Sequence, residues 1–201
     1  QSIDQAVKIL DDKEIKPPYA ASAFNTMGLI YKGMGELDSS MISLLKALSI
    51  CTSNSLSNTE VSAKILENLS SLELTGGNTA EARNFIEEAI KTRAGINGIH
   101  SISYANSLNS YGAVLNETGN YAQAIEILNK SFKIADSLKN TDESLFIQVI
   151  TNLGLIYYNI GNNIIADSLF TLLVKETTQI YGESSYEAGN AMVNHARAEQ
   201  A

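Results

Sequence analysis

Residues 105–128 read ANSLNSYGAVLNETGNYAQAIEIL, and this stretch decides the fold. Its apolar and small residues recur at i, i+3, i+4 and i+7, the spacing of one helix face, at Leu108, Tyr111, Gly112 and Leu115. Gly119 and Asn120 interrupt this pattern. The same spacing then resumes at Ala124, Ile127, Leu128 and Ser131. The stretch therefore predicts a helix, a tight turn and a second helix.

The stretch belongs to a repeat with a period of 42 residues, which extends through most of the chain. The turn glycine recurs at this step, each time followed by Glu or Asn, as Gly35, Gly77, Gly119 and Gly161. A small residue recurs in the first helix, at Gly28, Ser70, Gly112, Gly154 and Ala196. Another recurs in the second, at Ser40, Ala82, Ala124 and Ala166. Each repeat is thus predicted to be one pair of antiparallel helices.

The sizes of the recurring residues predict how the helices pack. We expect the glycine row of the first helix to face the alanine row of the second. Large apolar rows, typified by Phe24 and Leu44, fill the space beside them. Such a pair cannot bury its apolar face alone, so it stacks on its neighbour. Capping-box spacing places helix starts near Ser57, Asn120 and Ser184. The predicted fold class is all-α, a solenoid of about ten helices.

The unit that runs from Asn25 through Gly28, Tyr31 and Gly35 to Leu48 resembles a tetratricopeptide repeat. The period is longer than the usual 34 residues, and this longer form is similar to the kinesin light chain type and to arrays beside protease domains in many bacterial proteins. The resemblance implies a right-handed superhelix of antiparallel helix pairs in one domain, 1–201. A preceding helix is expected at 1–16 and the start of a fifth repeat at 189–201. Four full repeats are expected, at about 21–62, 63–104, 105–146 and 147–188.

A second, polar stripe follows the first helix of each predicted pair, and it is rich in asparagine. An asparagine side chain offers two N–H donors and one acceptor oxygen, so a row of them matches the backbone of an extended peptide. The resemblance implies the same use of an inner groove. The predicted peptide-binding residues are Asn25, Lys32, Lys64, Asn68, Asn106, Asn109, Asn116, Asn152, Tyr158 and Asn194. Replacing both Asn109 and Asn152 with alanine is predicted to weaken a ligand without lowering the melting temperature.

Composition argues against several other functions. The chain carries 14 Lys and Arg against 22 Asp and Glu, a net charge of −8, which disfavours nucleic acid. No stretch approaches the roughly 18 consecutive apolar residues of a membrane span. One cysteine and two histidines cannot build a Cys/His zinc cluster, so no metal is predicted. Cys51 is expected to be a packing residue. No catalytic set and no cofactor motif is found, so the protein is predicted not to be an enzyme.

The leading hypothesis is therefore a non-enzymatic scaffold that binds a protein or an extended peptide. The alternative is a sensor or regulatory arm of a larger protein, such as a bacterial protease or signalling protein, because the chain starts without Met and its fifth repeat is cut off. End-to-end self-association is a third hypothesis, since Met192 and Val193 extend an apolar face at the last repeat. The sequence favours a cytoplasmic location and leaves secretion after signal cleavage open.

Overall fold

The computed structural model describes residues 15–139 and 141–200, and there it contains nine α-helices and no strand. These are α1 (Pro17–Gly33), α2 (Leu37–Ser53), α3 (Glu60–Thr75), α4 (Thr79–Asn97), α5 (Ile102–Glu117), α6 (Tyr121–Ser137), α7 (Glu143–Asn159), α8 (Asn163–Tyr181) and α9 (Tyr186–Glu199). The predicted all-α class is confirmed. The helix predicted at 1–16 falls almost wholly outside the described residues.

The chain divides into two compact units, Gln1–Ile99 and His100–Ala201. In the first, α1 pairs with α2 and α3 pairs with α4, while α3 also contacts both helices of the first pair. In the second, α5 pairs with α6 and α7 with α8; α7 contacts the preceding pair and α9 packs on α8. Stacked helix pairs are the predicted solenoid arrangement. The single domain, 1–201, stays a prediction.

The four repeating glycines end the first helix of each pair. Their φ angles are +80°, +82°, +71° and +77°, a left-handed conformation that glycine adopts without steric cost, at Gly35, Gly77, Gly119 and Gly161. The residue after each glycine donates its backbone N–H five residues back, as from Asn120 to the Leu115 carbonyl at 2.9 Å. This is the Schellman arrangement, which satisfies carbonyls at the helix end. The Gly-Glu and Gly-Asn steps thus set the turn in every pair.

The small residues of the first helices lie at close crossings with the second helices, and the nearest side chains there are large. A Cβ added at Gly112 would lie 2.5 Å from Leu128 Cδ2, and one at Gly154 would lie 2.5 Å from Phe170 Cε1. At Gly28 the corresponding distance to Leu44 Cγ is 2.6 Å. The two small rows do meet at the first pair, where Gly28 lies against the backbone of Ser40. At each of the three glycines, however, the nearest side chain is a buried Leu or Phe from the second helix of the same pair.

Serine hydroxyls also join the paired helices. Ser40 Oγ donates to the Gly28 carbonyl and Ser70 Oγ to the Ala82 carbonyl, both at 2.7 Å and both buried. In the second unit, Ser131 Oγ donates to the Ala105 carbonyl at the same distance. A buried hydroxyl needs such a partner, because an unpaired one costs free energy. Serine therefore serves in the small rows, where its hydroxyl reaches a backbone oxygen of the opposite helix.

Helix starts differ slightly from the predicted capping boxes. Thr59, not Ser57, caps α3 by accepting from Ser62 N, and Ser185, not Ser184, caps α9 by accepting from Ala188 N. Asn120 does precede α6, yet its side chain makes no cap hydrogen bond. The two shifts of one or two residues leave the order of helices unchanged. Among residues 15–139 and 141–200, no helix has both the length and the hydropathy needed to span a bilayer.

Candidate functional site

Asparagine side chains of the second unit join neighbouring first helices. Asn152 Nδ2 on α7 donates to Asn109 Oδ1 on α5 at 2.8 Å, and Asn159 Nδ2 donates to Asn116 Oδ1 at 3.3 Å. The two pairs lie seven residues apart on each helix, which is two turns. They therefore form two rungs along one face of the α5 and α7 pair. We call these four residues the asparagine ladder.

A bond of the same kind lies in the first unit. Asn68 Nδ2 on α3 donates to Asn25 Oδ1 on α1 at 2.7 Å. In all three bonds the partners are 43 residues apart, one more than the repeat. The structure thus pairs six asparagines of the predicted stripe, two in the first unit and four in the second, and five of them were named as binding residues. Asn159 is the sixth and belongs to the same face.

Two cavities border the asparagine ladder in the second unit. The first, of 240 Å³, is lined by Asn109, Ile147, Gln148, Thr151 and Asn152. The second, of 130 Å³, is lined by Leu155, Tyr158, Asn159, Phe170, Asn194 and Arg197. Tyr158 and Asn194, both predicted binding residues, therefore meet at the second cavity. Asn106 lies apart from both cavities and donates to the Ile102 carbonyl of its own helix at 3.2 Å.

The two predicted lysines are engaged by neighbouring residues of the first unit. Lys32 Nζ donates to the Ser71 carbonyl at 3.1 Å and also to the Ser71 hydroxyl, so it links α1 to α3. Burial lowers the pKa of Lys32 from its ordinary value. Lys64 Nζ lies 3.6 Å from Glu67 Oε2. These contacts indicate a structural role for Lys32, whereas Lys64 is more than half exposed. Binding of either lysine to a carboxylate stays a prediction.

Sequence reasoning missed an ion-pair cluster between α3 and α4. The guanidinium of Arg93, only 3% exposed, contacts the carboxylates of Glu67 and Glu60. Asn97 Nδ2 donates to Glu60 Oε2 at 3.0 Å. Glu67 stands one repeat after Asn25 and one before Asn109, so the asparagine register is broken there by a charge. The signal available in the sequence was a glutamate at the position that carries Asn25 and Asn109 in two other repeats.

Cys51 has no sign of catalytic activation. The side chain is fully buried among Ala47, Ile65 and Leu69, and burial raises the pKa of its thiol. A thiol is nucleophilic as the thiolate, so this environment suppresses its reactivity. The predicted packing role of Cys51 agrees with its place in the core of the first unit.

The asparagine ladder changes one expectation about stability. Asn109 is only 7% exposed, so its carboxamide relies on partners within the protein. Replacing Asn152 with alanine removes the donor to Asn109, and we expect a cost of about 1–2 kcal/mol in the free energy of unfolding. The double replacement is expected to cost less than the sum of the single ones, with a coupling of about 1 kcal/mol.

Urea unfolding of the two single variants and the double variant measures this coupling. Asn129→Ala is the matched control, because Asn129 is an exposed asparagine of α6. We expect it to leave stability unchanged or slightly improved, since alanine is the better helix former. Strictly additive effects of Asn109→Ala and Asn152→Ala would contradict a stabilising role for their hydrogen bond.

Comparison with known proteins places the helix pairs in a family. Tetratricopeptide-repeat family models match residues 21–54 and 62–137, which together make up more than half of the chain. No curated protein sequence matches the chain at a significant level. The two family matches fall on α1–α2 and on the helices from α3 to α6, and they include Asn25, Lys32, Lys64, Asn68, Asn106, Asn109 and Asn116.

Solved structures share the arrangement at low sequence identity. BtubC (BKLC) from P. vanneervenii is 20% identical with a TM-score of 0.77, over 86% of this chain and 68% of that one. A structure of nearly identical TPR-like repeats of a kinesin light chain from Podosopora anserina is 16% identical to this chain, with a TM-score of 0.79. The match covers 93% of this chain and 88% of that one.

A Signal Transduction ATPase with Numerous Domains from Pyrococcus horikoshii, which has a tetratricopeptide repeat sensor, is 16% identical with a TM-score of 0.78. The match covers 97% of this chain and 30% of that one. At these identities the likenesses show the fold alone, and that fold is the one predicted from the 42-residue period. Sequence matches and fold agree: the chain is a tetratricopeptide-repeat protein.

Proposed function

We propose that the protein is a non-catalytic scaffold that binds an extended peptide along the asparagine ladder of its second unit. Tetratricopeptide repeats are protein-interaction modules, which supports the general role. The observation that carries the proposal is the ladder itself, with a cavity beside each rung. Each rung uses one N–H and one oxygen, and a carboxamide has further donor and acceptor capacity for a ligand backbone.

The spacing of the two cavities suits an extended chain. Asn152 lies at the first and Asn159 at the second, seven residues apart on α7. A helix rises about 1.5 Å per residue, so the cavities are separated by roughly 10 Å along the axis. Three residues of extended peptide span about 10 Å. Side chains three positions apart in a ligand could therefore occupy both cavities while the backbone between them meets the ladder.

The lining of the second cavity indicates which side chains it would accept. Leu155, Tyr158 and Phe170 supply apolar and aromatic surface, and the exposed Arg197 supplies a cation at its rim. Arginine binds a carboxylate through two parallel hydrogen bonds. We therefore infer a ligand with an apolar residue near an acidic residue or a carboxyl terminus at this end.

A selection of displayed random peptides on the purified protein tests the proposal. We expect enrichment of peptides with an apolar and an acidic residue close together. An enriched peptide, labelled for fluorescence anisotropy, should bind Arg197→Ala and Tyr158→Ala at least 10-fold more weakly, because each loses a contact in the second cavity. Asn129→Ala should bind it as the parent protein does.

Loss of affinity must be separated from loss of structure. Arg197 is exposed, so its replacement is expected to leave the melting temperature unchanged. Failure of any peptide to enrich on folded protein, or equal affinity for the parent and the Arg197→Ala variant, would count against a peptide groove at this place.

A second candidate function is a sensor arm within a longer protein. The fold likeness to an ATPase with a tetratricopeptide repeat sensor favours it, because nearly all of this chain matches less than a third of that one. Sequencing the complete gene tests this idea: a reading frame that begins near Gln1 and ends near Ala201 would remove it. End-to-end association also stays a prediction, with Met192 and Val193 at 40% and 51% exposure on α9.

A further inference from the structure

Three potential metal ligands meet where α8 and α9 pack together. His195 Nε2 lies 3.0 Å from Asp167 Oδ1 and 4.0 Å from Glu199 Oε1, and the three ligand atoms all lie within 4.8 Å of one another. Zinc bonds to imidazole nitrogen and carboxylate oxygen measure about 2.0–2.2 Å, which sets tetrahedral ligand atoms roughly 3.3–3.5 Å apart. Small side-chain rotations would bring the observed atoms to that spacing.

The helices present these side chains together because of their register. His195 and Glu199 are four residues apart on α9, so they lie on one face. Asp167 and Thr171 are four residues apart on α8, and Thr171 Oγ1 lies 3.1 Å from His195 Nε2. Each helix thus directs one turn-spaced pair toward the other. His195 and Asp167 are both partly buried, whereas Glu199 is exposed.

The cluster departs from the residues that the repeat carries elsewhere. In the preceding repeats, at steps of 42 residues, the position equivalent to His195 carries Met27, Leu69, Tyr111 and Leu153. The position of Asp167 is occupied by Met41, Arg83 and Ile125. Packing of helix pairs therefore does not require a histidine or an aspartate here. Together two carboxylates and an imidazole nitrogen offer negative charge and a nitrogen donor, which suits a dication.

We propose that Asp167, His195 and Glu199 form a binding site for a divalent transition-metal cation, with Zn²⁺ as the best match to one nitrogen and two oxygens. Three protein ligands leave a coordination position for water, the arrangement of open zinc sites. The sequence prediction of no metal considered only cysteine and histidine clusters, and it had no means of bringing Asp167 next to His195. The cation would clamp α9 to α8.

Isothermal titration of untagged, EDTA-treated protein with ZnCl₂ tests the site. We expect one equivalent of Zn²⁺ per chain and a melting temperature that rises with zinc concentration, because a ligand of the native state stabilises it. Co²⁺ should give the visible absorption of a four-coordinate site. Asp167→Asn and His195→Gln should each weaken Zn²⁺ binding at least 10-fold.

Two matched variants control for general effects. His100→Gln removes the other histidine, and Glu187→Gln removes an exposed carboxylate from the first turn of α9. Both should bind Zn²⁺ as the parent does. Absence of binding to folded parent protein would reduce the cluster to an ordinary ion pair. Binding that persists in both Asp167→Asn and His195→Gln would place the metal elsewhere, and either result overturns the proposal.

Discussion

Replacing Gly112 with valine is expected to destabilise the second unit by about 2–3 kcal/mol. A Cβ at this position would lie 2.5 Å from Leu128 Cδ2, and Leu128 is fully buried, so the added side chain must displace it within the core. Overpacking of a dense core typically costs about 1–3 kcal/mol. The better helix propensity of valine than glycine offsets only a fraction of this cost. Urea unfolding followed by circular dichroism measures the difference.

Gly189→Ala is the control for this prediction. Gly189 lies within α9, and nothing approaches the place where its Cβ would stand within 4 Å. Alanine in a helix interior is favoured over glycine by about 1 kcal/mol, so this variant should be slightly more stable than the parent. If Gly112→Val were as stable as Gly189→Ala, the glycine rows would have no packing role and their recurrence would need another cause.

The contrast between these glycines shows how far periodicity predicts packing. Spacing alone identified the small row that contains Gly112 and the large row that contains Leu128. Their mutual contact did not follow, because a period gives the face of each helix but not the offset of one helix along the other. The turns were more predictable, because the residue that ends each first helix adopts a left-handed conformation. Glycine favours that conformation, so its recurrence marks the turn at a fixed place.

Prediction of the candidate site was limited in the same way. The asparagines were found because they share one helix face, as with Asn109 and Asn116. Their pairing with Asn152 and Asn159 depends on a 43-residue relation that the 42-residue repeat conceals. The Asp167 and His195 contact joins two helices at positions without any repeat signal. A contact between two helices therefore has to be read from the structure, whereas residues that share one helix face can be found from the sequence.

Replacing Arg93 with alanine is expected to destabilise the first unit by about 3 kcal/mol or more. Arg93 and Glu67 are 3% and 8% exposed, and the guanidinium lies between the carboxylates of Glu67 and Glu60. Removing one partner of a buried ion pair typically costs about 3–5 kcal/mol, because the other charge stays in a poorly solvated place. Arg83→Ala on the same helix is the control: its pair with Glu87 is about half exposed, and such pairs contribute at most about 1 kcal/mol.

The double variant Arg93→Met, Glu67→Met separates the cost of an isolated charge from the value of the pair. Apolar side chains of similar length avoid desolvation of both ions, so replacing a buried pair in this way is often neutral or stabilising. We expect the double variant to unfold at a higher urea concentration than Arg93→Ala and near that of the parent. A double variant as unstable as Arg93→Ala would mean that the ion pair itself stabilises the α3 and α4 crossing. In the expected case, the net contribution of the Arg93 and Glu67 pair to stability is small, even though removal of Arg93 alone is costly.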